Sequence, residues 1–278
     1  MKLKNYSSGI TIGLIPEVNI FEQKKRYEPL MRYLSRHLEM NVSSLVTGHY
    51  GSLLGAFKES KIDAAVHGSL NFAFLDRFVG VEPLARPLWK NNVSTYAGYI
   101  VTRHDSGLSA DVSKWGGKRL SLVSRSTTAG FVFPVDYIHK HGVDDIESYF
   151  AEIIFTGSHD ASLLAVYNGT ADIGAGKNHI FNKLAEKNPD FKGSMLVVAV
   201  SKEVPSNTFS ASKRLSPKTR ARLKQVLIEM NDNPEGRAVL DNFGAQRFLP
   251  TVKADFDPVF DMVRSAKIDL EDPLYAGQ

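Results

Sequence analysis

From residue 9 the chain alternates short apolar strands with longer segments whose apolar residues recur at helical spacing. Ile10, Ile12 and Leu14 alternate with Thr11 and Gly13, and Ile15-Pro16 closes the strand. Tyr27, Leu30, Met31, Leu34 and Leu38 then fall on one face of a helix. Residues 42–46 predict a second strand, 51–57 a short helix and 62–66 a third strand. The turn His67-Gly68-Ser69 leads into a helix through Phe72 and Leu75. Strand, helix, strand in this order predicts right-handed βαβ units and a mainly parallel sheet.

A second series follows a strand-like run at 94–102 and a polar turn at 103–107. Strands are predicted at 120–123, 153–155 and 171–175, and helices at 131–139, 161–167 and 179–185. The unbroken apolar run at 195–200 predicts a strand covered on both faces. Beyond Pro205-Ser206-Asn207 come a strand near 208–211 and helices around 223–230, 238–240 and 256–263. Helices without long strands between them pack back onto an existing layer. The pattern therefore predicts an α/β protein of two lobes, residues 1–98 with 205–278 and residues 99–204. The chain would cross near 96–104 and again near 200–207, as in a hinged molecule with a ligand cleft at strand carboxyl ends. A length of 278 residues suits that plan.

Composition removes chemistry more than it adds any. The chain has no cysteine, which excludes disulfides, thiol catalysis and cysteine-ligated metal. Thirty-four Lys and Arg against 30 Asp and Glu leave a net charge of +4, too slight and scattered to predict nucleic-acid binding. The run Lys24-Lys25-Arg26 lies inside an amphipathic pattern and reads as a solvated helix face. No stretch approaches the ~18 apolar residues that would span a membrane. The start lacks the apolar segment of a secretory signal. There is no dinucleotide or P-loop glycine fingerprint and no nucleophile elbow. The eight histidines are dispersed, so no metal or cofactor is expected.

What remains are loops that end a strand and open a helix. Ser126-Thr127-Thr128-Ala129-Gly130 offers hydroxyls, small side chains and the unpaired N–H groups of a helix start, a neutral cradle for an oxyanion. Plain capping by Ser or Thr accounts for the same residues. Thr156-Gly157-Ser158-His159-Asp160 is a second such loop, with Ser158 as cap and His159 free to face a ligand. Tyr50 in Thr47-Gly48-His49-Tyr50-Gly51 and Tyr96 at the first crossing are further donors, with semi-buried packing as the alternative. His159 with Asp160 or Asp172 is the single candidate set for an enzyme, and adjacency in sequence does not make a dyad.

The order of these segments resembles one family across residues 9–270. The segments are Ile12-Gly13-Leu14-Ile15-Pro16, Tyr27-Glu28-Pro29-Leu30-Met31-Arg32-Tyr33-Leu34, Tyr50, and Ile62-Asp63-Ala64-Ala65. Later come Thr127-Thr128-Ala129-Gly130-Phe131-Val132-Phe133-Pro134, Gly157-Ser158-His159-Asp160, Asn168-Gly169-Thr170-Ala171-Asp172 and Asn233-Pro234-Glu235-Gly236. Together they look like the phosphate/phosphite/phosphonate-type substrate-binding proteins of ABC transporters. The resemblance implies a two-lobed periplasmic-binding-protein fold of the Venus-flytrap type with two crossovers. It implies a small oxyanion held by Thr127, Thr128, the Ala129 backbone, His159, Tyr50 and Tyr96. Ala129 stands where the family commonly has serine, and Ser126 is placed to compensate.

Members that bind aminoalkyl phosphonates carry a carboxylate near the helix start where this chain reads Gly176-Lys177-Asn178-His179. Asn178 therefore joins the expected site, and 2-aminoethylphosphonate is not an expected ligand. The resemblance further implies no catalysis, no cofactor and a monomer that docks on an ABC permease. It implies a periplasmic location, or a lipoprotein on the outer face of the membrane whose leader is absent from this sequence. A receptor's ligand-sensing ectodomain is the alternative readout of the same binding event.

Overall fold

A computed structural model describes residues 9–15, 20–49 and 52–272. In chain order its elements begin with β1 (Gly9–Leu14), α1 (Ile20–Leu38), β2 (Asn41–Val46), α2 (Ser52–Lys58), β3 (Ala64–His67), α3 (Ser69–Phe78) and β4 (Val81–Trp89). They continue with β5 (Thr95–Tyr96), β6 (Gly98–Arg103), β7 (Arg119–Leu122), α4 (Phe133–Lys140), α5 (Ile146–Tyr149), β8 (Glu152–Phe155) and α6 (His159–Tyr167). Next are β9 (Ile173–Lys177), α7 (Asn178–Lys187), α8 (Pro189–Ser194), β10 (Met195–Val200) and β11 (Val204–Pro205). Last come β12 (Thr208–Ser212), α9 (Pro217–Ile228), α10 (Pro234–Phe243), β13 (Ala245–Pro250) and α11 (Asp257–Ser265).

These elements form two compact units. The first runs up to Thr95 and resumes over Pro205–Asp257; the second is Tyr96–Val204 with the segment from Pro258. The chain thus changes unit three times, and its last helix belongs to the second unit rather than the first. Pro258 and Met262 of that helix wall a cavity of about 220 Å³ with Phe133, Tyr137 and Val200, and Lys267 pairs with Asp144 at 2.8 Å. Helical periodicity shows which face of α11 is apolar but not which sheet it covers. At the first two changes of unit, β5 and β11 pair as a two-stranded ribbon.

The first unit holds a six-stranded sheet in the order β13-β4-β12-β3-β1-β2. β1 runs parallel to β2 and β3, and β12 and β13 are antiparallel additions. The apolar stripe of α1, Tyr27, Leu30, Met31 and Leu34, packs with Ile10, Ile12 and Leu14 and with Leu223, Leu227 and Leu240 of the returning segment. Each such side chain contributes roughly 1.5–3 kcal/mol by leaving water. Lys24 and Lys25 are exposed as a solvated face requires. Arg26 instead lies over Phe243 and Trp89, 4.6 and 5.1 Å from their ring centroids.

Two strands of this sheet escape the sequence pattern. β4 carries Pro83 and Pro87, residues that argue against an inner strand, and it still lies between β12 and β13. It does so through a shift of register at Leu84, where Phe209 and Ser210 pair with Ala85 and Pro83. β13 is an edge strand with Gln246 and Arg247 exposed.

The second unit holds a five-stranded sheet in the order β10-β6-β9-β7-β8. β7, β8 and β9 run parallel, with Leu120 opposite both Ile153 and Ile173. β6 and β10 are antiparallel additions. The apolar run at 195–200 is therefore an edge strand and not a doubly covered one. Met195 is buried beneath the helices, whereas Val200 is 59% exposed. Gly174 and Gly176 let α6 lie directly on β9, since a Cβ at these positions would meet Val166 at 2.6 Å and Leu163 at 3.0 Å.

Candidate ligand-binding site

Because β7, β8 and β9 are parallel, the three segments that leave their carboxyl ends emerge on one side of the second sheet, and each opens a helix. After β7, Thr127 is pinned rather than free: its N–H and its hydroxyl both donate to the Ser124 carbonyl, at 3.0 and 2.7 Å. The chain then makes one wide π turn over Thr128–Val132 before α4 begins. Gly130 is required there because a Cβ would lie 2.4 Å from Val123 Cγ2. Thr128 is buried, and its hydroxyl has no partner among the described residues. The first N–H groups of such a turn have no acceptor within the helix.

The β8 segment is tied to the first one. Thr156 N–H donates to Leu122 O and Gly157 N–H to Val123 O, both at 2.9 Å. Gly157 adopts φ of 80°, a left-handed conformation that glycine takes without strain. Ser158 caps α6 by accepting from Ala161 N–H, which leaves His159 as the first helical residue. His159 is 8% exposed and its Nδ1 lacks a partner among the described residues. Burial holds its pKa well below the ordinary value, with the charges of Lys177 and His179 acting in the same direction. The ring is thus a neutral donor, suited to an oxyanion without adding charge.

The third segment leaves β9. Gly98 of β6 pairs with Lys177, so Tyr96 and Ala97 come to the same end of the sheet. Gly98 also touches the π turn, since a Cβ there would lie 2.7 Å from Phe133 Cδ1 and 3.1 Å from Ala129 Cα. Asn178 N–H donates to Ala97 O at 2.9 Å, and its Oδ1 accepts from His179 N–H at 2.8 Å. Tyr96 is buried, with the Lys177 ammonium 4.6 Å from its ring centroid and the His179 ring edge-on at 6.4 Å. Packing lowers the pKa of His179 to about 4 even though the residue keeps an exposed flank, and Lys177 and Lys183 add to the effect.

Of the residues expected to hold a ligand, the structure gathers Tyr96, Ser126, Thr127, Thr128, Ala129, His159 and Asn178 at one end of one sheet. Tyr50 lies outside the described residues. Thr128 and His159 keep unspent polar atoms, whereas the Thr127 hydroxyl serves the turn. Sequence reading passed over Lys177 and His179, although the same Lys-Asn-His triplet held the signal: three polar residues at the last position of a strand and the first turn of a helix.

Two discontinuous α/β units, each built on parallel strands with antiparallel additions, define a periplasmic binding protein. Solved structures of that class share the fold. PhnD1 from Prochlorococcus marinus (strain MIT 9301), in complex with methylphosphonate, superposes with a TM-score of 0.75 at 20% identity, covering 94% of this chain and 98% of that one. The family model for the ABC transporter, phosphonate, periplasmic substrate-binding protein matches residues 12–256. The chain belongs to that family. Among curated relatives, the phosphate-import protein PhnD of Mycolicibacterium smegmatis (strain ATCC 700084 / mc(2)155) is 25% identical over 92% of this chain and 85% of its own length. The probable ABC transporter phosphite binding protein PhnD1 of Prochlorococcus marinus is 21% identical over 92% of this chain and 89% of its own length.

Proposed function

We propose that this protein is the solute-binding component of an ABC importer and captures a small phosphorus oxyanion, phosphate, phosphite or a short alkylphosphonate, by closure of its two lobes. The observation that carries the reading is the pair of unspent donors at the carboxyl ends of β7 and β8. The Thr128 hydroxyl and the neutral His159 ring are buried without partners among the described residues, beside helix starts whose N–H groups favour an anion. The names of the relatives, a phosphate importer and a methylphosphonate-bound protein, agree with an oxyanion ligand. The protein works outside the cytoplasmic membrane, either in the periplasm or anchored on the outer face as a lipoprotein, delivers its cargo to a permease, and acts as a monomer without a cofactor. No enzymatic step is part of this reading.

A thermal-shift screen over phosphate, phosphite, methylphosphonate, sulfate and acetate tests the ligand class. A ligand that binds the folded state alone stabilises it by about 2.7 kcal/mol at a hundredfold excess over Kd, enough to raise Tm by several degrees. A shift with one or more phosphorus oxyanions and none with acetate is expected. No shift with any of them removes this reading.

A further inference from the structure

A lysine at the start of a helix sits at the end where the backbone dipole is already positive. Lys177 occupies that place on α7. It makes no capping hydrogen bond, and the first turn of α7 holds no acidic residue. No carboxylate pairs with this half-buried residue among the described residues; the neighbour of its ammonium is the face of Tyr96. Lys183, on the same helix, adds a second positive charge felt by His179. Asp160, at the start of the neighbouring α6, is exposed and bound by Ser158. Positive charge therefore accumulates beside His159 with no carboxylate paired to it among the described residues, at the end of the sheet that carries the neutral donors. Neutral donors suffice for one oxyanion. An uncompensated ammonium next to them recognises something more.

We propose that Lys177 makes this a site for a ligand with two anionic groups: a phosphonate bearing a carboxylate, or a similar second anion, on a short linker. The phosphoryl group lies on the Thr128 and His159 donors, and the second group meets Lys177. A ligand with an ammonium at that position faces a like charge. This inference rests on the oxyanion-binding function proposed above and specifies its substrate class.

Titration calorimetry on the full chain with methylphosphonate, phosphonoacetate and 2-aminoethylphosphonate tests it, using the unaltered protein and the Lys177→Met variant. Phosphonoacetate is expected to bind the unaltered protein about tenfold or more tighter than methylphosphonate, as a charge-assisted contact requires, with 2-aminoethylphosphonate weakest. Lys177→Met should bring the first two within about threefold of each other, phosphonoacetate losing more affinity than methylphosphonate. Removing a cation from the positive end of a helix should leave the melting temperature of the unliganded protein unchanged or higher, which separates lost recognition from lost folding. A preference for methylphosphonate in the unaltered protein, or a ratio that Lys177→Met leaves intact, overturns this inference and spares the oxyanion function. Failure of all three ligands to bind overturns both.

Discussion

His159 shows how one residue is prepared for an anion by being kept uncharged. It is nearly enclosed, and Lys177 and His179 stand beside it, so protonation is disfavoured and the ring offers an N–H without a counter-ion. Replacing it with Ala should weaken oxyanion binding by about 1–3 kcal/mol, the cost of losing a donor to a charged acceptor. Tyr96→Phe should act in the same direction, by calorimetry on the same ligand. Thr127 and Thr128 are neighbours with opposite duties. Thr128→Val removes a hydroxyl without a partner among the described residues, so it should reduce affinity and leave the melting temperature nearly unchanged. Thr127→Val removes the bond to Ser124 O and should cost about 1 kcal/mol of stability, read by urea unfolding. A pair of variants that behaved alike would contradict the division of labour. The sequence shows both hydroxyls at a helix start; which one the turn consumes depends on where the Ser124 carbonyl points, and that is set by the third dimension.

Among the elements, the loops after β7 and β8 were legible because glycine, serine and threonine between an apolar strand and a helix have few other uses, whereas the junction after β9 has none of them. The glycines also explain why the loops are close together. Gly130→Ala would drive a methyl group into Val123 and should destabilise the second unit by about 1–3 kcal/mol, while Gly48→Ala, with open space around it, should not. Thermal unfolding of the two variants makes the comparison. β4 was not legible, because its two prolines break the pattern and its pairing survives through a register shift. β10 was legible as a strand and misread in place. Six apolar residues in a row report that something covers them, not how many neighbours they have.

Over the whole molecule, the slight net charge of +4 hides a local concentration at Lys177 and Lys183, on either side of the neutral His179. Acid sensitivity is likewise a property of a few enclosed rings. His67 is fully buried, with its two ring nitrogens bonded to Gly68 O and Ser210 Oγ, and burial pushes its pKa from 6.5 to about 4. Unfolded, the ring takes up a proton below about pH 6.5; folded, it resists until about pH 4. Through that window the unfolded chain holds the extra proton, so stability falls as pH drops, by on the order of 3 kcal/mol from His67 alone. Below it the loss levels off. His159 acts in the same direction. Urea unfolding between pH 7 and pH 4 should show this decline, and a His67→Gln variant, weaker at pH 7, should show less of it. An equal slope in the two proteins would contradict the assignment.

The two-unit plan was readable from the alternation of strands and helices, whereas the three changes of unit were not, because a helix's apolar face does not name its partner. That connectivity sets an order of assembly on a growing chain. The first sheet lacks β12 and β13 until Pro250 has been made, and the second unit lacks α11 until later still. The first unit is complete only once Asp257 has been made, and the second only after α11. A nascent chain therefore carries two incomplete units until those late segments arrive, which delays stable folding and favours the extended state that a narrow translocation channel requires.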